Sequence, residues 1–230
     1  MIGSNQGVSQ GYSLTKSGTG TLALAGTNSY SGGTTVAQGT LNAVNTAGSA
    51  TGTGAVQVSN GARLGGTGFI APSAGNNVTL AGGAFLSPGL AGAGTLTFNL
   101  AGSSTLDFNA GSTLSLRLGT NPNFVAFGGS PADYLSGSGN ATLSLTLGTG
   151  FNYANTYTVF ANIDSSGFTF NAITGYDSLH YTAVFTDNTG SNIDTLSFTP
   201  TSVPEPSEVA LIVLGLAMLV LVHRRKTGCS

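Results

Sequence analysis

Charge is what this sequence has least of. Only 6% of its 230 residues are Asp, Glu, Lys or Arg, against a usual ~25%. Up to Val203 glutamate is absent, and Lys16, Arg63 and Arg117 face six aspartates, a formal charge of −3. With no basic face to neutralise phosphates, no nucleic-acid partner is expected. Cysteine is represented by Cys229 alone, so neither a disulfide framework nor a thiolate metal site can form within one chain. Helical periodicity is missing from every stretch before Glu208. The opening "MIGSNQGVSQGYS" has neither a basic region nor an apolar core, so it does not read as a secretory signal.

Glycine, by contrast, is abundant at 36 residues, and the hydrophobic fraction is 40%. Low charge with high glycine can mean disorder, but disorder needs few apolar and β-branched residues. Here Leu, Val, Phe and Thr are spread evenly between the glycines, which predicts an ordered β protein. "LTKSGTGTLALAGTNSYSGGTTVAQGTLNA", residues 14–43, alternates large and small side chains between glycine pairs. That alternation reads as half-buried strands joined by tight turns. The same grammar continues in "GAVQV" at 54–58, "NVTL" at 77–80, "GTLTF" at 94–98, "STLDF" at 104–108 and "STLSLRL" at 112–118.

Many short strands at even spacing fit either a β-sandwich or a β-solenoid. Sandwich strands run longer and carry charge on the solvent face, so the corner-then-strand rhythm favours the solenoid. At roughly 20 residues per rung the body predicts about ten rungs, a rod ~45 Å long at ~4.8 Å per strand. Residues 1–120 hold six Phe and Tyr, residues 121–200 thirteen. The second part therefore reads as a bulky cap or widened final rungs, since a bare last rung exposes an unpaired edge. A separate small β domain is the competing reading.

Residues 14–43 resemble the autotransporter-associated β-strand repeat. The likeness is carried by Lys16, Gly18, Gly20 and Leu22, then Asn28 with Tyr30, Gly32-Gly33-Thr34, and Gly39 before Leu41. The resemblance implies a right-handed parallel β-helix of exported surface proteins, usually without enzymatic activity. A true autotransporter ends in a translocating barrel of amphipathic strands, and these residues leave no room for one.

The last segment changes character. Val209 to Val222 is an unbroken apolar run, followed by His223, Arg224, Arg225 and Lys226. Its ten Leu, Ile and Val residues contribute roughly −3 to −6 kcal/mol on an insertion scale. Fourteen residues are short for a ~30 Å hydrocarbon core, but the flanking cations mark a stop-transfer end that stays cytoplasmic. Pro204 and Pro206 exclude helix and hold an extended strip just outside the membrane. In this order Val203, Pro204, Glu205, Pro206 and Ser207, the apolar run and the basic cluster resemble the PEP-CTERM sorting signal. The resemblance implies recognition of Pro204, Glu205 and Pro206 by an exosortase, a membrane protease that cleaves nearby. It also implies a signal peptide, so the expected start lies upstream of Met1.

Catalytic signals are weak. His180 has Asp177 and Asp187 near it in sequence, but serines are so numerous that some Ser-His-Asp trio can always be nominated. The aspartates at 107, 133, 164, 177, 187 and 194 are scattered, whereas lyases and hydrolases need clustered carboxylates or cations. "GTGTLA" at 18–23 has the dinucleotide spacing but runs into a strand where that fingerprint requires a helix. No cofactor, metal site or catalytic residue is expected.

The expected organisation is a polar segment at 1–13, an all-β parallel β-helix at 14–120, a β-rich cap at 121–202, the sorting signal at 203–226 with a membrane helix near 208–223, and a tail at 227–230. The expected protein is a non-enzymatic surface or matrix component of a Gram-negative-type bacterium, anchored transiently in the inner membrane. Its Thr, Ser and Asn surface would suit exopolysaccharide. Alternatives are a carbohydrate-active β-helix enzyme with the same tail, or an unprocessed single-pass membrane protein.

Overall fold

The computed structural model describes residues 11–90, 93–128, 134–163, 167–188 and 190–201. The sorting signal at 203–226, its membrane helix and the tail lie outside them. All regular structure among the described residues is β, and no helix there is long and apolar enough to cross a membrane.

The chain winds in coils that each lay one strand beside its equivalent in the next. The first coil gives β1 (Leu14–Lys16) and β2 (Thr21–Leu24), and the second β3 (Thr34–Val36) and β4 (Thr40–Ala43). The third adds another side: β5 (Val56–Val58), β6 (Arg63–Gly66) and β7 (Phe69–Ile70). The fourth gives β8 (Val78–Leu80), β9 (Phe85–Pro88) and β10 (Gly94–Phe98). The fifth gives β11 (Leu106–Phe108), β12 (Thr113–Leu118) and β13 (Asn123–Phe127). The sixth gives β14 (Leu135–Ser136), β15 (Thr142–Leu147) and β16 (Tyr157–Ala161). Then come β17 (Ala172–Thr174), β18 (Tyr181–Thr186) and β19 (Ile193–Pro200).

Three sheets result. Sheet A runs β1-β3-β5-β8-β11-β14, sheet B β2-β4-β6-β9-β12-β15-β17, and sheet C β7-β10-β13-β16-β19-β18. Sheets A and B pair in parallel throughout, as the glycine-punctuated strand pattern predicts for a solenoid-like fold. Parallel pairing continues past residue 120, to β15 with β17. In sheet C the direction reverses when β19 joins β16 antiparallel, through a register shift between Thr158 and Phe160.

The coils are fewer and longer than ten rungs of about 20 residues. Stacked positions in sheet A are Leu14, Thr34, Val56, Val78, Leu106 and Leu135, so the repeat is 20 to 22 residues at first and then 28 and 29. The added residues build the third side and lengthen the strands. The composition alone could not reveal this, because alternation stays the same whatever the length of the coil.

Register explains why so plain a sequence folds uniquely. Leu41, Leu64, Leu86, Leu114 and Leu143 stack in one inward file of sheet B, all buried. Phe98 and Phe127 stack in sheet C with ring centroids 6.1 Å apart, and Phe127 meets Phe160 at 6.3 Å. Burying each such side chain contributes about 1.5–3 kcal/mol. A one-residue slip would turn every file outward, so the register is strongly specified. Outward positions alternate with these, and across sheet A they are polar: Thr35, Gln57, Thr79, Asp107 and Ser136.

The chain divides into two compact units, one comprising Met1–Tyr176 with Ala183–Thr199 and the other Asp177–Thr182 with Pro200–Ser230. The first holds the coils and, after β16, two aromatic groups. Phe168 and Phe185 each lie against Phe170, at 5.3 and 5.0 Å, and Phe198 packs edge-on against Phe151 and Tyr153 at 5.6 and 5.2 Å. In the second, a turn is tied to the following strand end: Thr201 N–H donates to His180 O at 2.8 Å and its hydroxyl to Leu179 O at 2.9 Å.

The inward and outward files differ in a measurable way. Leu114→Ala should destabilise the chain by about 2–5 kcal/mol, while its outward neighbour Ser115→Ala should stay within about 0.5 kcal/mol. Urea unfolding followed by circular dichroism reads the difference, and equal effects would contradict the register.

Candidate functional site

Residues 14–43 form the first two coils, and the repeat residues meet at the corners between them. Lys16 is buried at the end of β1. Its ammonium donates to the carbonyls of Ser17 at 3.1 Å, Gly18 at 2.6 Å and Gln38 at 3.1 Å. One cation thus closes its own turn and grips the next coil, satisfying three backbone acceptors that the bend leaves without partners. Gly18 and Gly20 flank this turn, and Gly39 sits where the second coil passes it. At Gly39 φ is +69° and a Cβ would stand 2.4 Å from Gly20 O, so only glycine fits. Leu22 in β2 aligns with the buried Leu41 in β4.

The second corner uses side-chain hydrogen bonds. Asn28 Nδ2 donates to Ala50 O at 2.6 Å, one coil on. The Tyr30 hydroxyl lies 2.8 Å from Thr34 Oγ1, and Thr34 donates in turn to Thr51 O at 2.8 Å. Burial raises the Tyr30 pKa above its ordinary value of 10.0, and the Thr34 bond opposes that rise in part. Gly32 and Gly33 lead into β3, where a Cβ on Gly33 would stand 2.7 Å from Ala55 O. Every repeat residue with a polar side chain therefore binds backbone or another repeat residue, an arrangement suited to holding coils together.

Asp107, Asp177 and Asp187 each have their own hydrogen-bond partners. Asp107 lies on the outer face of β11 and accepts from Asn77 at 2.9 Å, Thr79 at 3.3 Å and Thr105 at 2.5 Å. Asp187 accepts from the Gly167 N–H at 2.6 Å. Asp194 is fully buried in β19. Asp177 lies 2.7 Å from His180 Nδ1 on an exposed turn, and that hydrogen bond holds its carboxyl below the usual range. Among the described residues no three His, Cys, Asp or Glu side chains converge as metal ligands. Asp133 and Asp164, like Val203 to Ser207 and Arg224, Arg225 and Lys226, lie outside the described residues.

Several residues escaped the sequence reading. Asn45 is a buried corner: its amide donates to Ala47 O at 2.9 Å and accepts the Phe69 N–H at 2.8 Å. The isolated position of an asparagine after "LNAV" was its only signal. Arg63 lies over the Phe85 ring at 4.8 Å and donates to Ser87 Oγ. The Arg117 N–H donates to Asn123 Oδ1 at 2.5 Å, a pairing no motif marks.

Among family descriptions, the Passenger-associated-transport-repeat matches residues 14–43. No curated protein matches the chain.

Tyr30 makes the repeat corner sensitive to alkali. Well below pH 10, the ordinary value, its phenol is neutral in both states and adds no pH dependence to stability. As pH rises through and beyond that value the unfolded chain loses the proton first, and native stability falls. Tyr30→Phe should flatten this fall relative to the unaltered chain in thermal melts between pH 9 and ~11.5. Parallel alkaline curves for the two chains would refute the assignment.

Proposed function

We propose that this protein is an exported, non-enzymatic β-helical passenger, displayed at the surface or in the extracellular matrix of a Gram-negative-type bacterium. The observation that carries the reading is the repeat at 14–43, whose polar side chains are spent on joining coils. The coil would be right-handed, the hand parallel crossovers take. Residues 14–120 would be the displayed body, 121–202 the cap that ends it, and 203–226 a sorting signal read by an exosortase-type protease. The buried or neutral-donor settings of Asp107, Asp187 and Asp194 favour a structural role for those three over acid–base catalysis.

The tail would act in two stages. The apolar run Val209 to Val222 partitions into the inner membrane while Arg224, Arg225 and Lys226 hold the end in the cytoplasm. The proline-locked strip at Pro204, Glu205 and Pro206 is then presented for cleavage. Mass spectrometry of the native surface fraction should find the mature chain without residues 209–230. Replacing Pro204, Glu205 and Pro206 by Ala should trap the full-length form in the membrane. Intact C-terminal peptides in the surface form would show a permanent anchor instead.

Catalysis is tested separately. Neutral and acidic polysaccharides incubated with the full chain should keep their length distribution. A shortening that disappears in Asp177→Asn or His180→Gln would make the carbohydrate-active enzyme the better reading.

A further inference from the structure

Arg117 stands beside an interruption of sheet B. β12 pairs with β15 over all six positions from Thr113 to Leu118, but with β9 only at Thr113 and Leu114. Thr113 N–H donates to Ala84 O at 2.9 Å, and a continued parallel ladder would bring Arg117 N–H to Pro88 O. Instead the side-chain amide of Asn123 sits between them. It accepts the Arg117 N–H at 2.5 Å and donates to Pro88 O at 2.5 Å, and it is itself buried. Beyond Pro88 the chain turns away at Gly89, with φ +88°, into a Leu90–Ala93 bridge. The two strands are held apart by one carboxamide, and a cleft of about 200 Å³ opens there, lined by Ser87, Ser115, Arg117 and Thr146.

The Arg117 side chain rises from the outer face of β12 and lies against Gly148. A Cβ at Gly148 would stand 2.6 Å from Arg117 Nε, so glycine leaves the guanidinium its place. It forms no salt bridge among the described residues. A second cleft of about 240 Å³ is lined by Arg117, Thr120, Asn121 and Thr149. One planar cation with donors to spare thus lines two small clefts that also carry hydroxyls and amides.

We propose that Arg117 anchors the carboxylate of a uronic acid residue in an acidic polysaccharide, with neighbouring sugars in the two clefts. The guanidinium fork matches a carboxylate bidentately. Both clefts are smaller than the ~300–1,000 Å³ of drug-sized sites, so each takes about one ring. Their linings combine hydroxyl, amide and guanidinium groups with some apolar surface, which suits the hydroxyl edge and the C–H face of a sugar ring. One guanidinium lining both clefts meets one carboxylate at a time and not a dense phosphate chain. The inference takes surface display as its setting, but the binding itself does not depend on how the tail is processed.

Calorimetric titration of the full chain in neutral-detergent micelles with trigalacturonate tests it. Saturable binding should weaken at least ~10-fold in Arg117→Gln, the loss expected from even one of the two charge-assisted hydrogen bonds. Arg117→Lys should retain part of the affinity. Gly148→Ala, which touches no ligand, should also weaken binding by displacing the guanidinium, with circular dichroism unchanged. The carboxyl-reduced trimer should bind at least ~10-fold more weakly, and triglutamate and inorganic phosphate should not compete. Equal binding of the neutral trimer, competition by triglutamate or phosphate, full affinity in Arg117→Gln, or no saturable binding at millimolar trimer would each overturn the proposal. A chain whose tail is never processed but which binds as described would leave this site standing and refute only the sorting reading.

Discussion

Everything in this molecule depends on the parallel register between successive coils. A strand of three to six residues cannot stand alone, so each backbone donor and acceptor must be met by the equivalent strand one coil away. That requirement aligns like with like: the inward leucines of sheet B stack in one file, and outside them Thr113 and Ser115 of β12 meet Thr142 and Ser144 of β15. It also removes the need for charge. Specificity comes from the phase of the alternation, because a slip by one residue would expose every file at once. A chain with 6% charged residues can therefore be both ordered and unique.

The same requirement makes the corners demanding. Between strands the backbone turns sharply and its carbonyls lose their ladder partners. The repeat residues of 14–43 answer this with Lys16, Asn28, Tyr30 and Thr34, each reaching a neighbouring segment or coil. Asn45 does so in the following corner, and Asn123 inserts its amide into an open rung of sheet B. These are the same device: a side-chain amide or ammonium substitutes for a missing peptide group. Where it serves only to close a corner, the result is stability. Where it holds two strands apart, the result is a cleft.

The sparse cations of the body illustrate how context divides one residue class. Lys16 is buried and used up on three carbonyls. Arg63 lies over an aromatic ring and bonds a serine across the outer face. Arg117 keeps its guanidinium beside open clefts. The antiparallel return of β19 against β16, with its clustered rings, is a different solution to the edge problem, since a strand running back covers donors that another coil would otherwise have met.

By itself the sequence determined the class of structure and much of its local detail. Period-two alternation between glycines is a nearest-neighbour property, so strands such as Gly94–Phe98 and Thr113–Leu118 were legible within a residue or so. The polar corner residues of 14–43 were legible as a pattern, though not their partners. Only the tertiary structure decided how long each coil is, where a third sheet begins, and where the chain reverses. Those depend on which residues lie one coil away, a separation of 19 to 30 positions along sheet B that no local pattern encodes. The cleft at Arg117 belongs to the same category. It exists because Pro88, Asn123 and Arg117, from three different strands, meet at a rung whose expected hydrogen bond is replaced by a side chain.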